Sequence, residues 1–523
     1  MEERRYPSGI QTFSDVIEGN YFYIDKTKYI YDLAHWMKYY FLSRPRRFGK
    51  SLLVSTMKSY FEGRKDLFEG LEISKLEKEW IKYPVIHLDF SGGDFNDMNV
   101  LNNTINEELH KNEEKFGIDN SNLAANVRFE RLVTTAKKIA NQRVVVLIDE
   151  YDAPMLAHID NEERQAEVRS IMQNVYSPLK KCDPDLKFVF ITGVTKYSQM
   201  SIFSKLNNLK TITMLPRFEG ICGFTKDEVL TQMRPDVENL AEMLGKTYDE
   251  TIAGIQKKYD GYHFTKKMTD IYNPYSLINC LMDGMLNDYW FDSGTPSFLV
   301  KMLSKFNLNM FDFENKSYRT ADFDVPVEKI TDPVPVLYQS GYLTMKSYNP
   351  EYEDFTLGFP NAEVRVGFAH SLLKYGYGNV QSNPLSRAYI DFRRDDNVER
   401  FINALKIFFA GFPYSLNNMN EKHYHAILYT VLASFGADIT AQPETALGKC
   451  DLILKMPKAI YVIELKYKHS AETALYQIEE KDYATAYKDD GRKVIKLGLN
   501  FDEEKRNITE WKMEEVISIR ERY

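Results

Sequence analysis

The segment FLSRPRRFGKSLL, residues 41–53, decides how the N-terminal part of the chain folds. An apolar strand enters a short loop, which ends in Gly49, Lys50 and Ser51 at the start of a helical pattern. Loop N–H groups and the positive end of a new helix face anionic oxygens, Lys50 can reach terminal phosphates, and the Ser51 hydroxyl can bind Mg²⁺. The segment predicts a phosphate-binding loop, although Arg44 replaces the first glycine of GxxxxGK[ST].

A second apolar run, RVVVLIDEYDAP, ends in two acids, Asp149 and Glu150. In P-loop enzymes the first acid holds Mg²⁺ and the second positions the attacking water, and parallel strands present such residues at one sheet edge. Acids also follow apolar runs as ordinary solvated strand ends. Together with the loop around Lys50, the pair favours a nucleoside triphosphate site.

Short apolar strands alternate with longer amphipathic segments from Tyr21 to about Leu215, which predicts βαβ units and a parallel sheet. The strand FVFI is followed by Thr192 and Thr195, where a polar sensor of the γ-phosphate would lie, although threonine here is often only a helix cap. We expect strands at 39–42, 85–90, 143–148 and 188–191, and helices at 52–61, 100–115, 129–140 and 162–179.

Composition places the chain among globular proteins. Its 523 residues, 44% hydrophobic and 27% charged, suggest three or four cores. No apolar run reaches the roughly 18 residues that cross a bilayer, and MEERRYPSGIQTF lacks the apolar core of a signal peptide, so we expect a cytoplasmic protein without membrane contact. The four cysteines are scattered singly, which argues against structural zinc. A net charge of -8 argues against broad non-specific nucleic-acid binding, so any nucleic-acid contact must be a local patch. The sequence leaves a monomer and an oligomer equally open.

A second constellation lies in GKCDLILKMPKAIYVIELKYK, residues 448–468. A hairpin would bring Asp451 near Glu464, and strand alternation places Glu464 and Lys466 on one face. Two carboxylates and an ammonium suit Mg²⁺ or Mn²⁺ and the activation of water. Charged residues on the exposed face of an ordinary hairpin give the same sequence pattern by chance. His425, on the preceding helix, could face this surface, although a lone helix histidine more often serves packing.

The segments YPSGIQTFSDVIEGNYFYIDKT, RPRRFGKSLL, VVVLIDEYDAP and ITGVTKYSQMSIFSKLNNL together resemble the bacterial AAA-ATPase-like family, which is usually fused to a PD-(D/E)xK superfamily nuclease. The resemblance continues through GFTKDEV, YDGYHF and YNPYS. It implies that an arginine-rich loop replaces the first glycine, that the loop binds ATP, and that Asp149 and Glu150 serve Mg²⁺ and water. The flanking arginines either add charge near the phosphates or are solvated. Arg217 is a guess for an arginine finger. The candidate nucleotide-binding residues are Arg46, Arg47, Phe48, Gly49, Lys50, Ser51, Leu52, Asp149 and Thr192, with Ser51 and Asp149 as metal ligands.

The letters D...ExK in the C-terminal hairpin are the pattern of the PD-(D/E)xK superfamily. This resemblance implies a metal-dependent nuclease in which Asp451, Glu464 and Lys466 are catalytic, with Lys466 orienting or deprotonating a water or stabilising charge. Glu421 lies where the first helix of the superfamily often supplies an acid, and Gln477 matches the polar position of the following helix. Glu421, Asp451 and Glu464 are therefore candidate metal ligands.

We expect an α/β protein with an N-terminal P-loop NTPase (AAA-like) parallel sheet, a helical lid, a winged-helix-like middle and a C-terminal α/β restriction-endonuclease-like domain. In the middle, VPVLYQSGYLTM should contain one strand and DFTLGF another. The predicted function is an ATPase whose nucleotide state controls a Mg²⁺-dependent phosphodiesterase on nucleic acid, DNA in particular. The alternative is an ATP-switched regulatory protein that binds nucleic acid or a protein partner without cleaving. The expected domain bounds are 1–217, 218–295, 296–385 and 386–523.

Overall fold

The computed structural model of the chain describes residues 5–196, 208–291, 296–306, 308–314, 316–325, 331–377, 383–412, 420–445 and 447–516. The chain divides into two compact units. The first comprises Met1–Met302 and Lys316–Glu363, and the second comprises Leu303–Asn315 and Val364–Tyr523. Both units mix helices with sheets, as the predicted fold class requires. Within the described ranges, none of the helices has the length and apolar character needed to traverse a bilayer.

The strands and helices follow one another along the whole chain. The strands are β1 (Tyr39–Ser43), β2 (Val85–Asp89), β3 (Val144–Asp149), β4 (Leu186–Gly193), β5 (Lys210–Thr211), β6 (Phe224–Thr225), β7 (Ile271–Tyr272), β8 (Lys316–Arg319), β9 (Thr344–Asn349), β10 (Asp354–Gly358), β11 (Asp438–Ala441), β12 (Glu444–Thr445), β13 (Gly448–Lys449), β14 (Leu452–Lys455), β15 (Ala459–Tyr467), β16 (Lys493–Asp502) and β17 (Asn507–Glu515). The helices are α1 (Phe13–Glu18), α2 (Thr27–Trp36), α3 (Lys50–Phe61), α4 (Glu72–Leu76), α5 (Met98–Lys115), α6 (Ala125–Ala140), α7 (Ala153–Leu156), α8 (Glu162–Tyr176), α9 (Pro178–Lys181), α10 (Lys226–Gln232), α11 (Arg234–Leu244), α12 (Tyr248–Tyr259), α13 (Pro274–Asp283), α14 (Ser297–Lys305), α15 (Thr320–Phe323), α16 (Val334–Gln339), α17 (Ala362–Ser371), α18 (Asn383–Asp395), α19 (Val398–Ala410), α20 (Glu421–Ser434) and α21 (Ala471–Glu480).

A five-stranded parallel sheet forms the centre of the first unit, in the order β2-β3-β4-β1-β5. Every residue of β1 and β3 is buried, which explains their continuous apolar sequences. Because β4 lies between β1 and β3, the carboxyl ends of three strands meet at one edge, at Ser43, Gly193 and Asp149.

The sequence predicted the main elements of this sheet correctly. The four expected strands correspond to β1 to β4. The four expected helices correspond to α3, α5, α6 and α8, and each of these starts within a few residues of its predicted start. The last helix was predicted to reach residue 179, but it ends at Tyr176 and a short helix starts at Pro178. Proline lacks the N–H that would continue the hydrogen-bond pattern, so a new helical turn begins there.

The segment after residue 333 differs from its prediction. Val334–Gln339 is a helix, with proline in its first turn, where the fixed φ of proline is favourable. The predicted strand begins only at Thr344, as β9. It pairs with β10, and β10 pairs with β8, so that the first unit also contains a three-stranded antiparallel sheet.

The second unit is built on a mixed sheet in the order β11-β14-β15-β16-β17. Strands β15 and β16 are parallel, whereas the other neighbouring pairs are antiparallel. Helix α21 packs on β15 and β16, and helix α20 packs on β11 and β15. Buried Ile453, Ile460, Val462 and Ile478 belong to the core beneath α21. The predicted hairpin is therefore confirmed as β14 and β15.

Candidate functional site

The loop between β1 and α3 forms an opening at the sheet edge. Gly49 has φ +87°, a conformation that glycine adopts without strain, and a Cβ added there would meet no atom within 4 Å. Lys50 is the first residue of α3, so the free N–H groups of that helix end lie beside the loop. Such a helix terminus attracts negative charge. The local backbone therefore suits an anionic group.

Basic, hydroxyl and acidic side chains converge at this loop. Lys50 Nζ lies 3.0 Å from Glu150 Oε1 and donates to the Pro45 carbonyl at 3.2 Å. The Ser51 hydroxyl lies near the Asp149 carboxylate and lowers the pKa of Asp149. Both loop residues thus lie beside the two acids at the end of β3, the neighbourhood that the P-loop reading of the sequence predicted.

The environment of Asp149 also suits a divalent cation. Burial and the neighbouring Glu150 raise the pKa of Asp149 to about 7, against the lowering effects of Ser51 and Lys50. Asp89 stands opposite Asp149 in the strand register and raises its pKa further. Sequence reasoning missed Asp89, although its place at the end of a predicted strand was a usable signal. A bound Mg²⁺ would favour the ionised form of these crowded acids.

The two threonines after β4 have different surroundings. Thr195 is occupied by structure, because its N–H and its hydroxyl both donate to Asp152 Oδ2 at 2.6 Å. Thr192 is fully buried, and within the described residues its hydroxyl has no hydrogen-bond partner. Of the two, Thr192 is therefore the threonine whose hydroxyl is not already used by a described protein group.

The loop arginines bind protein groups. Arg44 is buried, and its Nη1 donates to the carbonyls of Ser43 at 3.0 Å and Thr213 at 2.8 Å. Arg47 lies 3.8 Å over the ring of Tyr275 and also donates to a carbonyl at 2.8 Å, that of Tyr289. Arg44 is thus an internal support for the loop, whereas a phosphate role for Arg47 stays a prediction.

Two further predicted residues have aromatic neighbours. The guanidinium of Arg46 lies 5.5 Å over the ring of Phe298. The buried ring of Phe48 packs at 4.8 Å against Tyr262. Arg217, the guess for an arginine finger, is half exposed and lies 3.2 Å from Asp32.

The loop opens into a cavity of about 650 Å³. This volume lies in the range of small-molecule and cofactor pockets. Predicted residues from Arg46 to Leu52 line it together with Glu150. The remaining wall comes mainly from four segments that the sequence reading had not assigned to the site, namely 7–11, 22–26, 221–224 and 274–279. Their main sequence signal was the resemblance of the N-terminal segment, of GFTKDEV and of YNPYS to a known family.

In the second unit, the β14–β15 hairpin brings the predicted acids together. The N–H of Asp451 donates to Glu464 Oε2 at 3.3 Å, and the N–H of Leu465 donates to Asp451 Oδ2 at 2.8 Å. Burial raises the pKa of Asp451. Burial and the charge of Asp451 raise the pKa of Glu464 to about 7. The two carboxylates are therefore crowded in a partly dry site.

Lys466 completes this group. Its Nζ lies 2.9 Å from Glu464 Oε1 and donates to the Leu465 carbonyl at 3.0 Å. Burial lowers the pKa of Lys466, but Glu464, Glu421 and Asp451 outweigh burial and raise it. The lysine therefore stays charged among three acids.

A metal at this centre would rest on few protein ligands. Across the described ranges, no three His, Cys, Asp or Glu side chains are grouped closely enough to hold an ion. Mg²⁺ commonly uses only one or two carboxylates and completes its shell with water and substrate phosphate. Asp451 and Glu464 fit that pattern, whereas Glu421, at the start of α20, is established only as a charge near Lys466.

The remaining neighbours divide into packing and site residues. His425 stacks on Phe311 with ring centroids 4.8 Å apart and lies near the backbone of Asp451, and burial lowers the pKa of His425 to about 4. Tyr483, which the sequence reading missed, lies near Gln477 and Asp451. It follows the end of α21, where no periodic pattern marked it.

The fold and the two sites define a class of protein: a P-loop NTPase-like unit joined to a unit whose mixed sheet brings two acids and a lysine together. Residues 7–203 match the family model described as Predicted AAA-ATPase, and residues 419–511 match the PD-(D/E)XK nuclease superfamily. A relative in Azotobacter chroococcum mcd 1, described as an uncharacterized protein in vnfD 5'region, is 31% identical over 524 residues, covering 97% of this chain and 98% of that protein. No solved structure matches the chain. The chain belongs to the predicted AAA-ATPase family and carries a C-terminal domain of the PD-(D/E)XK nuclease superfamily.

Proposed function

We propose that this protein is an ATPase whose nucleotide state controls a Mg²⁺-dependent phosphodiesterase that acts on nucleic acid, with DNA as the expected substrate. The observation that carries the proposal is the convergence of Lys50, Ser51 and Glu150 at a cavity large enough for a nucleotide, with Asp149 beside Ser51. In the second unit, Asp451, Glu464 and Lys466 supply the groups needed to hydrolyse a phosphodiester.

At the loop, each side chain has a distinct task. The α3 N-terminus and Lys50 bind the phosphates, while Ser51 and Asp149 hold Mg²⁺. Glu150 orients the attacking water and accepts its proton, and Thr192 offers its free hydroxyl to the terminal phosphate. Mg²⁺, when bound, neutralises charge that develops on the transferred phosphoryl group.

At the hairpin, Asp451 and Glu464 provide oxygen ligands. Burial raises the pKa of both acids, and the charge of Asp451 raises the pKa of Glu464 further. Lys466 is held in place by Glu464 and can orient a water or stabilise charge on the phosphate. Mg²⁺, when bound, polarises the phosphate and favours ionisation of water. We also propose that the four domains span residues 1–217, 218–295, 296–385 and 386–523.

A plasmid-nicking assay tests the nuclease half. Purified full-length protein is incubated with supercoiled DNA and Mg²⁺ or Mn²⁺, with EDTA as the metal-free arm. Lys466→Met keeps the methylene packing and removes the ammonium, so nicking should disappear while ATP hydrolysis continues. Lys468→Met, at a half-exposed lysine after the same strand, is the matched control. If Lys466→Met nicks DNA as fast as the parent protein, the assigned centre is wrong.

A second assay tests the ATPase half and the control of cleavage. Lys50→Ala should abolish ATP binding because it removes the cation at the phosphate loop. The variant should also nick DNA at the same rate with and without ATP, whereas the rate of the parent protein changes with ATP. An ATP response in Lys50→Ala equal to that of the parent would contradict control through this loop.

Binding without cleavage is the second candidate function. The net charge of -8 favours it, because an acidic protein gains little general affinity from DNA phosphates and is suited to a selective contact. ATP would then switch the grip of the C-terminal unit on nucleic acid or a protein partner. Gel shifts that depend on ATP, with no nicking under either metal, would favour this candidate.

A further inference from the structure

One part of the cavity at the phosphate loop has an apolar wall and would not be filled by the phosphates. Its wall there includes Ile10, Phe22, Phe224 and Ile278, which are apolar and at least partly shielded from water. An apolar slot beside a phosphate cradle suits the flat ring of a nucleobase. The polar groups of this wall would then determine which base binds.

Two polar side chains of the wall are hydrogen-bonded to each other. The Ser8 hydroxyl donates to Asn279 Oδ1 at 3.0 Å, joining the N-terminal segment to α13. The Asn279 amide is itself held, because its Nδ2 donates to the Tyr275 carbonyl at 2.8 Å. The hydroxyl hydrogen is therefore used within the pair, and the free lone pairs of two oxygens remain at the cavity wall.

We propose that Ser8 and Asn279 read the 6-position of a purine and thereby select adenine. Adenine carries an amino donor at this position, whereas guanine and hypoxanthine carry a carbonyl oxygen. Two acceptor oxygens at the wall pair with the amino group and oppose the carbonyl. The assignment rests on the nucleotide binding proposed above and adds the residues that choose the base.

The test compares ATP with inosine triphosphate, which replaces the 6-amino group by a carbonyl. Each nucleotide displaces a fluorescent ATP analogue from the full-length protein in Mg²⁺. The parent protein should prefer ATP by about tenfold, which corresponds to about one hydrogen bond that ATP forms and inosine triphosphate does not. Asn279→Ala and Ser8→Ala should each reduce this preference to about threefold or less, by weakening ATP binding rather than inosine triphosphate binding.

Asn239→Ala is the matched control, because Asn239 is an exposed asparagine on α11 that does not line the cavity. Ser8 lies outside any helix and is exposed, so Ser8→Ala tests the pair without altering a packed element. Equal binding of both nucleotides by the parent, or an unchanged preference in both variants, would overturn the assignment and leave nucleotide binding intact. Failure of the parent to bind the analogue would overturn the proposed nucleotide site and this assignment with it.

Discussion

Replacing Glu150 by glutamine tests the ion pair at the phosphate loop. Lys50 Nζ lies 3.0 Å from Glu150 Oε1, and the glutamate side chain is mostly buried. A bound triphosphate has to share this lysine and lie close to the glutamate charge. At about 5 Å and an effective dielectric constant of about 20, one carboxylate opposes one phosphate charge by about 3 kcal/mol.

Dissolved ions and partial solvent access reduce this repulsion, so we expect Glu150→Gln to bind ATP about tenfold more tightly than the parent protein, or by about 1.4 kcal/mol. The same change removes the proposed base for the attacking water, so hydrolysis should fall by at least about 100-fold. A fluorescent ATP analogue titrated in EDTA measures the first effect without metal, and phosphate release in Mg²⁺ measures the second.

Glu163→Gln provides the control, since it removes an equal charge from an exposed position at the start of α8. It should leave ATP affinity and hydrolysis unchanged. Equal or weaker ATP binding by Glu150→Gln would refute the reasoning, because it would mean that Glu150 does not compete with the phosphates for Lys50.

Three other substitutions probe the first unit, each followed by urea unfolding of the purified variant. Burial raises the pKa of Glu363 from 4.5 to about 7, so the folded protein holds the proton more tightly and stability falls as pH rises through that window. Glu363→Gln lacks this titration and should gain up to about 3 kcal/mol over the parent between pH 4.5 and 7. Arg128→Met should cost about 3–5 kcal/mol, because it leaves buried Glu113 unpaired after loss of a 2.6 Å contact. Gly341→Ala should cost about 1–3 kcal/mol and weaken ATP binding, since φ is +88° and the new Cβ would lie 2.6 Å from Pro45 Cβ. Unchanged unfolding midpoints at every pH tested would contradict the corresponding prediction.

Local sequence pattern was sufficient for the elements that carry both sites. The apolar runs ending at Ser43 and Asp149 are fully buried strands, and the alternation in residues 459–467 placed Glu464 beside Lys466. These features depend on strand periodicity and on which residue follows a strand, and both can be read directly. The order of the strands depends on how distant segments pack, and no pattern indicated that β4 would separate β1 from β3.

The less successful predictions concern residues whose role depends on distant partners. Val334–Gln339 is apolar enough for a strand, and short apolar runs do not distinguish the two structures by periodicity. Arg47 was expected either to add charge near the phosphates or to be solvated, and the phosphate role stays a prediction; no local pattern indicated that its guanidinium would lie over Tyr275, more than two hundred residues away in sequence. The position of Tyr483 beside the acids likewise follows from tertiary packing.

Arg44 shows how this loop is held without the first glycine of GxxxxGK[ST]. The usual first glycine lets a phosphate loop bend because it has no side chain. In this protein the long side chain of Arg44 points into the interior, and burial lowers its pKa to about 10. Its guanidinium donates hydrogen bonds to the carbonyl oxygens of Ser43 and Thr213. Restoring the consensus glycine would therefore remove an anchor and would not repair a defect. Pattern searches that require that glycine would miss proteins whose loops are anchored by an internal side chain.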